Sequence, residues 1–257
     1  MAEVPDEFKK ALAEGDTEQL GLLLDANEGR LIRGPRDENL LFWACTYIHS
    51  ENRAALVKLL LERGFSARSM DNQGLTPLHW AAGYGCVECI PLLLAAGADV
   101  HAERVDGGTP LHQAALKVVD LLLAAGADPK RLEKLNRAPL HTTSALHPAL
   151  LVAGVNARDV HGMTPLHYAA LYDDVDWVNW LLAKGADPAI ESTTPFHYNG
   201  DQPEGAFGVL RHLFETGTRA YDIALWRQKT HKWSTGQYRR VVETLDAVTP
   251  RRGWFSR

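Results

Sequence analysis

The chain has 257 residues, of which 46% are hydrophobic and 23% charged, and its net charge is −5 at neutral pH. These proportions are ordinary for a folded globular protein, and no stretch reaches the roughly 18 to 20 continuous apolar residues that cross a bilayer. The scattered Lys and Arg residues supply no basic stripe for phosphates, so neither a membrane protein nor a nucleic-acid-binding protein is expected.

The N-terminal segment predicts two short helices, over residues 8–13 and 18–25. The first seven residues, Met-Ala-Glu-Val-Pro-Asp-Glu, are acidic and lack the basic start and apolar core of a secretory signal. A cytoplasmic location is therefore expected, with secretion as an effector left open.

A four-residue motif then repeats along the chain. Thr-Pro-Leu-His occurs at residues 76–79, 109–112 and 164–167, and degenerate copies stand at 138–141 and 194–197. Small residues follow each full copy, and then come an apolar run and a Gly-Ala-Asp turn at Gly97, Gly126 or Gly185. This order predicts a turn, a short inner helix, an outer helix and a loop. Such a repeat buries its apolar face only by stacking on its neighbours.

The motif resembles the ankyrin repeat, and the step from Thr76 to Thr109 is 109 − 76 = 33 residues, the ankyrin period. The resemblance implies an all-α solenoid of helix-turn-helix repeats with short hairpin loops. It divides the chain into an N-terminal cap (1–33), repeats at 34–70, 71–103, 104–132, 133–158, 159–191 and 192–218, a C-terminal cap (219–250) and a tail (251–257).

The central repeats are predicted to be truncated, because the motif steps after Thr109 shrink to 138 − 109 = 29 and 164 − 138 = 26 residues. Pro148 fits only the first turn of a helix, so the outer helix of the second short repeat is expected to begin near it. These repeats bury less area and should be the least stable part of the stack. Farther on, residues 199–208 predict a loop, and one hairpin finger is expected to be missing before residue 219.

Several side chains that suggest metal or redox chemistry have simpler interpretations. The last motif position holds His79, His112, His141, His167 and His197, which in ankyrin repeats brace the turn and lie too far apart to share a zinc ion. Cys86 and Cys89 lack a second ligand pair, and three cysteines suit a reducing compartment. The pair is expected where the outer helix begins, with Cys89 facing the core. Asp173, Asp174 and Asp176 are expected to cap the helix that contains Trp177 and Trp180. No cofactor or metal is expected.

Aromatic pairs form the sharper signal. Two aromatic residues four positions apart share a helix face, and three inner helices carry such a pair, on the side that lines the concave groove in ankyrin proteins: Trp43 and Tyr47, Trp80 and Tyr84, and Tyr168 and Tyr172. The hairpin tips next to the groove vary between repeats and are expected to determine partner specificity. They contain Asn72, Gln73, Leu75, Val105, Asp106, Val160, His161 and Met163.

The sequence therefore predicts a monomeric, non-enzymatic module that binds another protein or a peptide through its groove. Exposed Trp and Tyr residues are typical of interface hot spots, and no catalytic motif is present. An effector or inhibitor that occludes a target enzyme is one alternative. Another is a methyl-lysine reader that uses an aromatic cage, with Asp173 or Asp174 beside Tyr172. An enzyme would need a pocket within residues 199–218.

Overall fold

The computed structural model describes residues 4–27, 32–46, 52–199, 211–230 and 237–249. The chain divides into two compact units, the N-terminal unit Met1–Lys134 and the C-terminal unit Leu135–Arg257. Apart from one pair of short strands, the regular elements of the described residues are helices, as the sequence predicts. None of these helices is long and apolar enough to cross a membrane. The predicted tail, 251–257, lies outside the described residues.

The N-terminal unit is a series of helix pairs in which each inner helix packs on its own outer helix and on the next inner element. The buried side chains of these faces form its core, and they include Phe8, Leu41, Leu60, Leu78 and Leu93. Its elements are α1 (Asp6–Glu14), α2 (Thr17–Asn27), α3 (Leu40–Thr46), α4 (Arg53–Glu62), α5 (Pro77–Gly83), α6 (Cys89–Ala95), a 3-10 helix (Pro110–Gln113) and α7 (Leu116–Ala124).

The C-terminal unit continues the same plan and contains both strands. Leu140, Leu166, Trp177, Ile223 and Leu245 are fully or almost fully buried in its core. Its elements are α8 (Pro139–Thr142), a 3-10 helix (Pro148–Ala153), α9 (Pro165–Leu171), α10 (Val175–Ala183), β1 (Phe196–Asn199), β2 (Arg211–Phe214), α11 (Ala220–Thr230) and α12 (Gln237–Val248).

The motif residues explain where each inner helix begins. Thr76 is the N-cap of α5, and Pro77 occupies the first helical turn, where a missing N–H costs nothing. The backbone N–H of Thr76 donates to Nδ1 of His79 at 3.1 Å, and the Thr76 hydroxyl lies 2.9 Å from the same nitrogen. The chain leaves the helix through Gly85, whose φ of 64° favours glycine.

The truncation predicted for the central repeats is confirmed. The inner helix of one repeat is a 3-10 turn at Pro110–Gln113, and that of the next is the four-residue α8. The outer helix of the second short repeat is also a 3-10 helix, and it starts at Pro148 as expected. Nδ1 of His147 accepts the Ala149 N–H at 3.3 Å. In contrast, α7 is a regular helix of nine residues with Val118, Val119 and Leu122 buried.

The prediction of a further helical repeat at 192–218 is wrong. Thr194 to His197 resembles the motif, yet Phe196 and His197 lie in β1, which pairs antiparallel with β2 in the register Phe196 to Phe214. Aromatic residues in alternation favour a strand. Phe196 and Phe214 stack with ring centroids 4.9 Å apart, and Phe214 meets Trp226 of α11 edge to face at 5.1 Å.

This ribbon is an enlarged hairpin finger, so no finger is missing. In an ordinary finger, such as the hairpin loop that begins at Asp71, the Gly74 N–H donates to Asp71 O, and Asp71 Oδ1 accepts the Leu75 N–H. Ser192 makes the equivalent bonds: its carbonyl accepts the Gly217 N–H, and its hydroxyl accepts the Thr218 N–H. Only Asn72 and Gln73 separate Asp71 from Gly74, whereas residues 193–216 separate Ser192 from Gly217. The predicted loop at 199–208 falls within this finger, and its residues 200–208 lie outside the described ranges.

The repeat after the finger begins at Arg219. The Arg219 backbone N–H donates to Oδ2 of Asp222 at 2.9 Å, in the same way that the Thr76 backbone N–H donates to Nδ1 of His79. The preceding Thr218 carbonyl accepts from His167, as Gly108 accepts from His79. The last repeat therefore comprises α11 and α12 and follows the 159–191 repeat directly.

Candidate functional site

The motif histidines are structural. Nδ1 of His79 accepts from Thr76, which leaves Nε2 to donate to the carbonyl of Gly108 in the next hairpin at 3.1 Å. His141 and His167 make the corresponding bonds to Ala157 and Thr218. Burial lowers the pKa of His79 and of His167 to about 4, so both rings are neutral at physiological pH. His197 lies in β1 instead of in an inner helix.

The hairpin tips of the N-terminal unit are joined by main-chain hydrogen bonds. Asn72 N–H donates to Arg36 O at 2.8 Å, Val105 N–H to Gln73 O at 2.9 Å, and Lys134 N–H to Asp106 O at 2.9 Å. These bonds fix the spacing of the tips. The side chains of Asn72, Gln73 and Val105 are exposed, that of Val105 by 65%.

The inner helices of this unit carry a cluster of aromatic rings beside the tips. Trp80 lies edge to face against buried Phe42, with centroids 5.9 Å apart, and its ring is 6.2 Å from that of Tyr84. Trp43 and Trp80 are half-buried, whereas Tyr84 is 45% exposed. Tyr47 lies outside the described residues. Tyr84 is the C-cap residue of α5.

Sequence reasoning missed a polar network beside this cluster. Arg104 Nε donates to Asp106 Oδ1 at 2.7 Å, and its NH1 donates to Gln113 Oε1 at 3.3 Å. Gln113 Nε2 in turn donates to His79 O at 2.6 Å. The network therefore links Asp106, which is half-buried, to the helix that holds Trp80. Its sequence signal was Arg104 itself, which stands where the other fingers have Asp71 and Asp159.

The C-terminal unit holds the remaining predicted contacts. Val160 is 42% exposed, and its N–H donates to the Leu135 carbonyl of the neighbouring hairpin tip. The Leu135 side chain is also exposed, so the two tips present two apolar side chains next to each other. Nδ1 of His161 lies 3.0 Å from the Thr194 hydroxyl, and the ring contacts Phe196. Tyr172 is 48% exposed and stacks on buried Trp177.

Three residues predicted to contact a partner are buried instead. Leu75 and Met163 precede the motif threonine, and their side chains turn into the core under the finger. Tyr168 is only 6% exposed, and its hydroxyl donates to Asp159 Oδ2 at 2.6 Å. Burial and the negative Asp159 raise the pKa of Tyr168 well above its usual range. These three residues therefore stabilise the fold, and the exposed ring of the third aromatic pair is Tyr172.

The acidic group next to Tyr172 has a mixed outcome. Asp174 caps α10 by accepting the Trp177 N–H at 2.9 Å, which confirms the predicted capping role for that residue. Asp173 is buried with φ +58°, and its burial raises the pKa of its carboxyl to about 6. The methyl-lysine cage around Tyr172 stays a prediction.

The cysteines differ from expectation in one respect. Cys89 is buried, as predicted, and Cys86 is buried as well, but the two are joined by a disulfide bond where the outer helix begins. Cys45 is buried with a pKa raised to about 12, so its thiol is protonated. Within the described ranges, no group of three or more His, Cys, Asp or Glu side chains could hold a metal ion.

Comparison with known proteins places these features in a family. The family model for ankyrin repeats matches the chain in three overlapping copies, over residues 8–104, 41–133 and 103–192. The potassium channel AKT2/3 of Arabidopsis thaliana is 34% identical over 54% of this chain and 19% of its own length. A probable E3 ubiquitin-protein ligase of Oryza sativa, XBOS32, is 31% identical over 71% of this chain and 38% of its own length.

A transient receptor potential cation channel, subfamily A member 1, of Drosophila melanogaster is 31% identical over 49% of this chain and 9% of its own length. This chain thus spans well under half of each of these relatives.

Proposed function

Because the chain belongs to the ankyrin-repeat family, we propose that it is a non-enzymatic interaction module that binds a partner protein through the N-terminal unit. The contact surface consists of the exposed hairpin tips, Asn72, Gln73 and Val105, and the aromatic cluster on the inner helices. The observation that carries the proposal is the exposure of Tyr84 beside Trp80, since a large ring held on a rigid helix and open to solvent suits a binding hot spot.

The hydrogen-bonded hairpin tips support a preformed surface. Backbone hydrogen bonds between fingers space the tips, and the Trp80 ring beside them packs edge to face on Phe42. A surface ordered before binding loses little conformational entropy on association. In the C-terminal unit, Tyr172 and Val160 are exposed and stay predicted contact residues. The enzyme-occluding effector and the cytoplasmic location stay predictions.

The proposal is tested by site-specific photo-crosslinking from native extract. A benzoylphenylalanine at position 84 should capture a protein that the same group at position 22 does not, because Leu22 is 60% exposed but lies on α2, outside the proposed surface. For the captured protein, Tyr84→Ala should weaken binding by about 2 kcal/mol, close to thirtyfold. Leu22→Ala is the matched control. Equal affinities of both variants would overturn the proposal.

A further inference from the structure

Two repeats place an aromatic ring and a carboxylate in the same relation. Asp71 and Asp159 each accept, through Oδ1, the N–H groups two and four residues later in the finger. Nine residues after each Asp comes the ring of the inner helix, Trp80 or Tyr168. Both rings meet the preceding repeat edge to face, Trp80 on Phe42 at 5.9 Å and Tyr168 on His141 at 6.0 Å. The two positions are therefore structurally equivalent.

In the C-terminal unit this arrangement includes a cation. The Tyr168 hydroxyl donates to Asp159 Oδ2 at 2.6 Å. The Arg137 guanidinium lies over the Tyr168 ring, 5.5 Å from its centroid. A guanidinium on an aromatic face beside a carboxylate is a favourable combination, because the ring quadrupole and the negative charge both attract it.

In the N-terminal unit no donor reaches the corresponding oxygen. Trp80 has an indole N–H in place of the tyrosine hydroxyl, and both this Nε1 and Asp71 Oδ2 are buried with no hydrogen-bond partner among the described residues. Asp71 is only 6% exposed. The residue at the position of Arg137 is Glu38, whose carboxylate turns to its own finger and accepts the Arg36 N–H at 2.7 Å. A buried carboxylate oxygen without a donor is costly, so the site is suited to a cation supplied from outside.

We propose that the partner inserts an arginine at this position, with its guanidinium stacked on Trp80 and an N–H donated to Asp71 Oδ2. The inference rests on the proposed function, because Trp80 and exposed Tyr84 form part of the same surface. The oxygen is covered in the free protein, so docking shifts the Trp80 side chain. The charge of Asp71 and the face of the indole then select a cationic side chain over a neutral one.

The test is an NMR titration of the full chain with N-acetyl-arginine amide, with N-acetyl-citrulline amide as the neutral control of equal shape. The backbone amides of Gln73 and Leu75 report the site, because both donate to Asp71 Oδ1. The arginine compound should give saturable shifts at millimolar concentration, at least about tenfold tighter than the citrulline compound. Equal responses to the two compounds, or none to either, would overturn the inference.

Three variants separate the site from general effects. Asp71→Asn keeps an oxygen for the turn but loses the charge, and it should weaken arginine binding about tenfold. Asp159→Asn is the matched control and should leave binding unchanged. Trp80→Tyr places a hydroxyl where Tyr168 has one, so it should satisfy Asp71 internally and also weaken arginine binding. If Asp71→Asn fails to fold, the Trp80→Tyr variant tests whether arginine binds at Asp71. If arginine does not bind while Tyr84→Ala still weakens the captured partner, this inference fails and the interaction module stands.

Discussion

At the scale of single residues, equivalent motif positions perform different tasks according to their neighbours. Tyr168 and Trp80 occupy the same place in their repeats, yet the former satisfies a buried carboxylate and the latter does not. Tyr84 and Tyr172 follow them by four residues and remain exposed. Tyr168 is therefore a structural residue, whereas the half-buried Trp80 ring makes no bond to the Asp71 carboxylate.

The Tyr168 hydroxyl is expected to contribute measurably to stability. Tyr168→Phe leaves Asp159 Oδ2 without its 2.6 Å donor in a buried position, which should lower the free energy of unfolding by about 1 to 3 kcal/mol. Urea denaturation followed by circular dichroism measures the change. Tyr84→Phe, at an exposed position, is the control and should change stability little. Equal stability of both variants would show that the Tyr168 bond contributes nothing.

The buried histidines predict that stability falls in mild acid. The folded-state pKa of His79 and of His167 is about 4, below the value near 6.5 of an exposed histidine. Between these values the unfolded chain binds more protons, so stability is full above about pH 6.5 and is lost as the pH falls toward 4. Asp173, with its pKa raised to about 6, opposes this trend in part.

Urea denaturation at several pH values between 7 and 4.5 measures this dependence. His79→Gln removes one titrating ring, so the variant should show a smaller slope of unfolding free energy against pH over the same range. A pH-independent unfolding free energy in the unmodified protein would contradict the prediction.

At the scale of elements, the finger at 193–216 shows that a hairpin loop can be enlarged without altering the hydrogen bonds at its base, where the two ends of the loop meet. Ser192, Gly217 and Thr218 keep the hydrogen bonds of a short finger. His167 still reaches the next repeat across this base, at Thr218. The ribbon adds its own packing, because Phe214 lies against Trp226.

Replacing residues 193–216 by Asn-Gln, the tip of the finger at Asp71, should therefore give a folded protein with nearly unchanged helix content. The loss of the buried Phe196 and Phe214 rings should lower stability by about 2 to 5 kcal/mol. Circular dichroism and the cooperativity of thermal unfolding are the measurements. A chain without a cooperative transition would indicate that the segment is an integral repeat. Deletion of 159–191, a true repeat, is the destructive control.

At the scale of the whole molecule, the repeats differ in how much each can bury. Helices α5, α6, α9 and α10 belong to full repeats, whereas the inner elements of the two central repeats are single turns. Stability in repeat proteins is close to a sum of local terms and neighbour interfaces. The truncated repeats should therefore open more easily than the full ones.

Hydrogen exchange should reveal this difference on the intact chain. Amides of Pro110–Gln113, Pro139–Thr142 and Pro148–Ala153 should exchange fastest among the repeats, because their turns bury few side chains. Amides of α5 and α9 should be protected longest. Helix α7, although it lies in a truncated repeat, should resemble α5, since it is a regular helix and buries Val118, Val119 and Leu122. Uniform protection along the chain would contradict this view.

The sequence by itself determined the repeat identity, the helix starts at Thr76 and Thr164, and the truncation of the two central repeats. These features depend on local chemistry, namely motif spacing, capping and the position of Pro148, and the structure confirms them. Only the tertiary structure decided that Phe196 and His197 lie in a strand, that Leu75, Met163 and Tyr168 are buried, and that Cys86 and Cys89 are bonded. Each of these depends on contacts between residues whose proximity arises only on folding: the Thr218 carbonyl that receives His167 is 51 residues away, and whether Asp159 or Asp71 finds a donor depends on one ring placed by the fold.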